Sequence, residues 1–392
     1  MTRAYADERR PVTLTDAIAA ANRAPATQVG VHEVAAAEAN VDAAAAWPSP
    51  TVSVATNRVT ARLVAGASVP LPVFGTVGAA QHQARAEADA VRAEVEVVRR
   101  ELRHRVVVAW VALARADGDV VATSIAAQQA AELELIAKGR LTAGVGADVD
   151  VTVAAAARAR ADVAAAAAQR TEDAASAELA GILGWDPARP LRADGEPDTG
   201  ETTDFEALRR RLANHPERAA ALRRVDAASA TVETVLKQRW PVVAIEAEVS
   251  YDDPTMEPDQ RDDARIGLAV ELPLFARVGA KARAARATEA AERARLAVTE
   301  TTLGAGLVAA YRNWQAASER LRGLEHDVQP AQERAAALSA QAYREGARDL
   351  ATALQAQRDL AAVRAEINSA RADAAVALAD LQLASGDEVG AP

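Results

Sequence analysis

From Ala79 to Lys138 the chain runs for sixty residues without a proline and with one glycine, Gly118. As a single helix this stretch would be about 90 Å long at 1.5 Å per residue, too long for a compact core to enclose. It must lie against other rods, and its apolar residues say how. Val91, Val95, Val98, Leu102 and Val106 recur every three or four positions, and Trp110, Leu113, Val120, Leu133 and Ile136 continue the pattern. That spacing is the seam of a coiled coil. Arg92, Glu94, Glu96, Arg99, Arg100, Glu101 and Arg103 take the other faces, so the helix is predicted to lie half in water and half against a neighbour.

The rest of the chain supplies the neighbours. Residues 14–23 read as a short helix ended near Pro25, and an amphipathic helix follows to about residue 46. Trp47-Pro48-Ser49-Pro50 breaks it, and residues 51–56 then alternate polar and apolar as a half-buried strand does, with a return over 62–69. A glycine-containing turn, with Gly139, Gly144 and Gly146, precedes a helix over 148–183. Residues 188–203 form a linker rich in Gly, Pro, Asp and Thr.

The pattern then begins again. Asn214-His215-Pro216 echoes Asn22-Arg23-Ala24-Pro25, and Trp240-Pro241 echoes Trp47-Pro48 193 residues on. Pro273, Phe275, Gly279 and Ala280 follow Pro72, Phe74, Gly78 and Ala79 by 201 residues, as Tyr311 follows Trp110. Gly346 follows Gly144 by 202, and Gly386 follows Gly184 by the same number. The organisation is therefore a first repeat over 1–187, with a hairpin at 51–69 and long helices at 79–138 and 148–183, then the linker. A second repeat covers 204–386, with a hairpin at 242–272 and long helices at 279–342 and 349–384, and leaves a tail at 387–392.

Composition removes several classes of function. Alanine dominates a chain that is half hydrophobic and only 3% aromatic, which favours thin helix contacts over a thick core. A net charge of −10 with both signs interspersed argues against nucleic acid. The absence of cysteine excludes disulfides, thiolate metal sites and thiol catalysis. No apolar run is long enough for a transmembrane helix. The first ten residues are polar and lack the form of a signal peptide, so an exported protein is expected to be a trimmed form.

Each repeat offers two strands of nine or ten residues, about the length a tilted strand needs to cross a bilayer. Four strands cannot close a barrel and would leave two open edges, so several chains must pool them; three chains would give twelve strands.

In the order of these motifs, twice over, the chain resembles the TolC family of outer-membrane efflux proteins, and within it the branch that works with metal-cation pumps. The resemblance runs from about Leu14 to Gly386. It is carried by the Asn-x-x-Pro motif at Asn22, Asn214-His215-Pro216, the Pro70-Leu71-Pro72-Val73-Phe74-Gly75 box with its partner at Leu272, and Tyr343, Gly346 and Arg348. It implies a mainly α protein with a small β part, built as a homotrimer. A twelve-stranded β-barrel in outer-membrane lipid would continue into a periplasmic α-barrel tunnel of coiled-coil hairpins. It further implies a periplasmic adaptor and an inner-membrane pump, of the RND type, as partners, with small solutes such as metal cations or drugs as cargo.

The same resemblance places the gate of the closed tunnel on Tyr343 and Arg348. A phenol and a guanidinium can bond a neighbouring helix and release it without unfolding anything. Asp148, Asp150 and Asp349 would add a ring of carboxylates favouring cations; read without the resemblance, they are acids at helix N-termini. Gly144, Gly146 and Gly346 would let an adaptor approach the turns. The six carboxylates between Asp252 and Asp263 read as a solvated loop, and the five histidines show no ligand spacing. Neither a cofactor nor an enzyme activity is expected, since no nucleophile elbow, phosphate loop or paired-acid cleft is present. A soluble coiled-coil scaffold or adaptor stays open as the alternative, and the paired hairpins flanked by proline boxes weigh against it.

Overall fold

The computed structural model describes residues 9–57, 61–200, 204–251, 257, 263–273 and 277–390. In chain order the elements are β1 (Arg10–Val12), α1 (Leu14–Ala21), α2 (Pro25–Ala45), β2 (Thr51–Asn57), β3 (Ala61–Leu71), α3 (Thr76–Thr142), α4 (Asp148–Leu183) and β4 (Leu191–Ala193). Then come α5 (Phe205–Arg211), α6 (Pro216–Lys237), β5 (Val242–Tyr251), β6 (Asp263–Glu271), α7 (Val278–Gly323), α8 (Gln329–Arg344) and α9 (Leu350–Ser385). Asp252, Asp253, Asp259 and Asp262 of the acidic loop, and Phe275 of the second proline box, lie outside the described residues.

The repeated motifs are places where helices stop and start. Asn22 closes α1, its N–H bonded to the Ala20 and Ile18 carbonyls, and Pro25 opens α2, where a missing N–H removes no helical bond. In the second copy a 3₁₀ turn over Leu212–Asn214 precedes Pro216, which opens α6. The imidazole of His215, buried between them, meets the Leu383 carbonyl at 3.1 Å.

The second long helix, expected as one piece over 279–342, is interrupted. α7 ends at Gly323, a π turn spans Leu324–Val328, and α8 begins again at Gln329. Pro330 is the reason: without an N–H it cannot continue the α-helical ladder, and the chain widens by one residue per turn just before it.

The fold divides into two compact units that each take parts of both sequence copies: Met1–Val29, Val98–His215 and Thr302–Pro392 in one, Gly30–Val97 and Pro216–Thr301 in the other. In the first, the largest apolar cluster packs Val106, Trp110 and Leu113 of α3 against Leu179 and Leu183 of α4, with Val12 and Leu191 from the short strands. β1 and β4 pair in parallel, Val12 opposite Ala193, and β4 lies inside what the sequence reads as linker. A second cluster joins Leu307 and Trp314 of α7 to Leu208 and Leu381. Trp314, and not Tyr311, repeats the bond made by Trp110: the two indoles donate to the carbonyls of Thr199 and Val12 at 2.9 and 2.8 Å. Val98, expected in the seam, is 54% exposed. Burial on α3 of Val106, Val107, Ala109, Trp110, Val111 and Leu113 goes all round the helix, because it has neighbours on more than one side.

The second unit holds a four-stranded antiparallel sheet in the order β2-β3-β5-β6. Its register gathers the charged side chains on one face and leaves the other apolar. Val52 and Val54 stand opposite Ala67 and Ala65, these opposite Ala247 and Val249, and these opposite Ile266 and Ala264. Val69, Ile245 and Leu268 extend the same face. The other face carries Ser53, Ser68, Glu246, Glu248, Ser250, Arg265 and Glu271. Val52 and Ile266 are 74% and 85% exposed, so none of the described residues covers the apolar face. Where strand meets helix, Trp240 stacks on Phe74 with ring centroids 5.4 Å apart; Trp47, its counterpart in the first copy, is 67% exposed.

An apolar sheet face backed by a polar one is what a membrane barrel requires. A nitroxide at Ile266 in lipid-reconstituted protein should collide with oxygen as in hydrocarbon, and one at Glu248 should collide with a water-soluble nickel chelate. The reverse pattern, or water at both, would exclude the lipid-facing assignment.

Candidate functional site at the two helical turns

The turn from α3 to α4 and the turn from α8 to α9 are the same structure made twice. Gly144 (φ +73°) and Gly346 (φ +76°) end their helices in the left-handed conformation, which a side chain disfavours. After each, an N–H reaches back five residues, Val145 to Arg140 O at 3.0 Å and Ala347 to Ala342 O at 2.8 Å. Gly146 is needed for space, since a Cβ there would lie 2.8 Å from the backbone N of Leu141. The surroundings of Gly144 are open, with nothing within 4 Å of a would-be Cβ.

The two copies differ at the start of the returning helix. Asp349 is the N-cap of α9, its carboxylate accepting the Thr352 N–H at 3.0 Å, and the Thr352 side chain, then this N–H, holds its pKa below the usual carboxylate range. Ala147 stands at the equivalent place before α4 and caps nothing; Asp148 and Asp150 sit in the first turn instead, where the helix dipole favours a negative charge. Asp148 is exposed and Asp150 half-buried.

Tyr343 is 1% exposed. It packs in a cluster with Leu133 and Ala137 of α3, Ala154 of α4, and Leu350, Ala353 and Leu354 of α9. Its hydroxyl is buried and makes no hydrogen bond among the described residues. Burial, then the Asp150 charge, push the phenol's pKa up, and Arg140 opposes them. Tyr343 therefore faces the interior of its own chain's tip. Arg348, five residues on, is exposed, and the two side chains are not brought together.

The residue that joins the turns is Arg140, which sequence reasoning missed. From the last turn of α3 its Nη1 donates to the Tyr343 carbonyl at 2.8 Å, its Nη2 reaches the Val145 carbonyl at 3.4 Å, and its guanidinium carbon lies 5.1 Å from the centre of the Tyr343 ring. A cation here meets the exposed carbonyl end of α8 and the face of an aromatic ring at once. Gly346 makes room for it: a Cβ would lie 3.2 Å from Nη1. The available signal was a basic residue four positions before a helix-ending glycine. Just behind the turn, Glu134 bonds Lys138 and Arg158, which ties α3 to α4 and holds its pKa down.

The outer membrane efflux protein family model matches residues 18–185 and again residues 207–387, the two copies read from the repeat. The chain belongs to that family. Among solved structures, this efflux protein is similar to the outer membrane protein VceC of Vibrio cholerae, at 21% identity and a TM-score of 0.76 over 96% of both chains. It is similar to CusC at 16% identity and a TM-score of 0.79 over 95% of this chain and 92% of that one. To the Campylobacter jejuni CmeC outer membrane channel it is similar at 14% identity and a TM-score of 0.76, over 97% and 87%. No curated protein sequence matches. The protein is thus an outer-membrane efflux channel component, not an enzyme and not a soluble adaptor. The expected mainly helical fold and the outer-membrane location both hold. The narrower branch is not singled out, since CusC stands beside channels of other names at nearly the same TM-score.

Hydrogen bonds from a charged donor contribute about 1.5–3 kcal/mol. Arg140→Ala should therefore lower the amide-exchange protection of Gly346 and Ala347 by about ten- to a hundredfold, measured by hydrogen-exchange mass spectrometry. Unchanged protection would mean that the guanidinium does not hold the turn.

Proposed function

We propose that three copies of this chain form the exit conduit of a tripartite efflux assembly, closed at rest by the paired turns and opened when a periplasmic adaptor docks on them. Outer-membrane efflux channels work as trimers with an adaptor and an inner-membrane pump. An RND-type pump is the reading adopted for this chain, with metal cations or drugs as cargo.

The observation that carries the gate is the Arg140 guanidinium lying between the two turns of one chain. It makes the tip a single body, so contacts between neighbouring tips can close the tunnel. Arg348 and Asp148, exposed on that body, have the chemistry for those contacts, a guanidinium and a carboxylate that pair across a boundary and part again. Tyr343 acts from inside, as the surface on which Arg140 rests. Asp148 and Asp150 supply negative charge at the entrance, which favours cations. Asp349 contributes less, because its carboxylate is engaged in capping α9.

Three charge-assisted contacts at about 1.5–3 kcal/mol each would bias the tip closed by several kcal/mol, comparable to what a docking partner can supply. Arg140→Ser with Arg348→Ser should raise single-channel conductance in planar bilayers several-fold, at an unchanged melting temperature of the trimer. Tyr343→Phe alone should change it little, because the hydroxyl makes no bond. Conductance equal to wild type in the double variant would overturn the gate.

Docking is read onto the turns at Gly144, Gly146 and Gly346. The open space around Gly144 supports this reading. Because asparagine tolerates the left-handed conformation, Gly144→Asn adds bulk there with little strain. It should abolish adaptor-dependent efflux while the trimer's mass and melting stay as in wild type. Full efflux from that variant would remove the docking site from this turn.

A further inference from the structure

β1 and β4, three residues each, are too short to stand as an independent sheet. They form a strap held to α3 and α4 by side chains. The Trp110 indole donates to Val12 O, the Leu191 N–H donates to Ser176 Oγ at 2.6 Å, and the Ala193 N–H donates to Asp117 Oδ2 at 2.8 Å. Arg9, at the start of the strap, lies 3.1 Å from Glu172 and 2.6 Å from Asp173.

The charges behind the strap do not balance if every acid is ionised. Glu172 is 5% exposed and takes Arg9 as its cation, which Asp173 shares from a more open position. No cation bonds Asp117 among the described residues, and its Oδ1 is buried without a hydrogen bond. Ionised, it would set a second carboxylate beside Glu172 out of water, which is costly. A proton on Oδ1, donated to the Glu172 carboxylate, removes the repulsion and gives both oxygens a partner. Burial pushes the Asp117 carboxyl up to about 7, with Glu172 acting in the same direction and the Ala193 amide and Arg9 opposing. The other charged groups around it are engaged elsewhere: Arg115 with Asp119 on α3, and Arg371 of α9 with Glu325, at 4.0 Å from Glu196 of the linker. A cavity of about 190 Å³ is lined by Asp117, Arg115, Glu196 and Arg371 among others.

We infer that Asp117 and Glu172 hold one proton between them behind this strap, and that loss of the proton loosens the β1–β4 pair from α3 and α4. The strap lies at the junction of the two sequence copies, so the device acts on how the linker is held. A carboxyl raised in the folded state adds stability at low pH. That contribution declines as pH rises from 3.8, the ordinary value, to about 7, and is gone above it. The strap is therefore tight in mild acid and loose at and above neutrality.

The test is hydrogen-exchange mass spectrometry on the detergent-solubilised full-length protein, with protection factors corrected for intrinsic exchange, in peptides covering residues 9–13 and 188–198. From about pH 5 to pH 8 the wild-type strap should lose roughly ten- to a hundredfold in protection and then level off. Asp117→Asn imitates the protonated acid, because the amide accepts from Ala193 through its oxygen and donates to Glu172 through its nitrogen. In that variant protection should stay high and flat with pH. Flat protection in wild type overturns the inference, as does the same pH dependence in Asp117→Asn. Peptides from α7 and α9, away from the strap, report whether the variant is folded.

Discussion

The helical part depends on one residue being enclosed on every side. Trp110 sits mid-way along α3, buried, with its indole N–H fixed to the Val12 carbonyl. Burying a large apolar side chain contributes about 1.5–3 kcal/mol, and a chain whose apolar half is mostly alanine has few such residues to spend on a helix of 67. The large ones are therefore concentrated. Val106, Trp110, Leu113, Leu179, Leu183 and Leu191 meet in one cluster, while long reaches of α4 carry alanine and stay thin. The short strands have a place in this logic: Val12 and Leu191 join that cluster, and the Val12 carbonyl takes the indole N–H.

The sheet obeys a different constraint. Its strands have no core to fill, so the period-two alternation serves to keep one face apolar across all four strands and the charged side chains on the other. A one-residue slip between β3 and β5 would place Glu246 and Glu248 among Val69, Ala67 and Ala65, so the register is fixed by what each face must avoid. The edges, β2 and β6, lie unpaired in the sheet of one chain, and strands added from another chain would pair them.

What could be read in the sequence was whatever repeats or punctuates. The glycines at 144 and 346 could be placed because left-handed helix ends leave a residue with no substitute, and the prolines at 25 and 216 because they start helices without losing a bond. Pro330 belongs to the same legible class, since the π turn before it follows from its missing N–H. Other features were not accessible to spacing at all. Arg140 meets Tyr343 across 203 positions, and Asp117 meets Ala193 across 76. A periodicity argument sees a helix face, but not which of several neighbours that face meets. For the same reason Val98, apolar and correctly spaced, comes out exposed. The two gate residues expected from the second turn alone left out the partner on the first, and the Arg140 bond runs between turns.

Duplication explains why that bond runs there. Two identical hairpins would carry the same residues at both turns, and equal charges or equal rings facing each other make no latch. Here the positions have diverged in opposite senses. Arg140 corresponds to Ala342 and Leu141 to Tyr343, each 202 residues on, so the first copy supplies the cation and the second supplies the ring and the accepting carbonyl. Leu141 is left exposed at its turn while Tyr343 is buried at the other. Ala147 and Asp349 have separated likewise, leaving the free acids on one side and the capped helix on the other. The two turns keep the same backbone because the glycines require it, and they differ in the side chains that let one hold the other. A tip of this kind can be built only when both copies are in one chain, and the linker between them must itself be held in place, as the strap against Trp110 and Asp117 does.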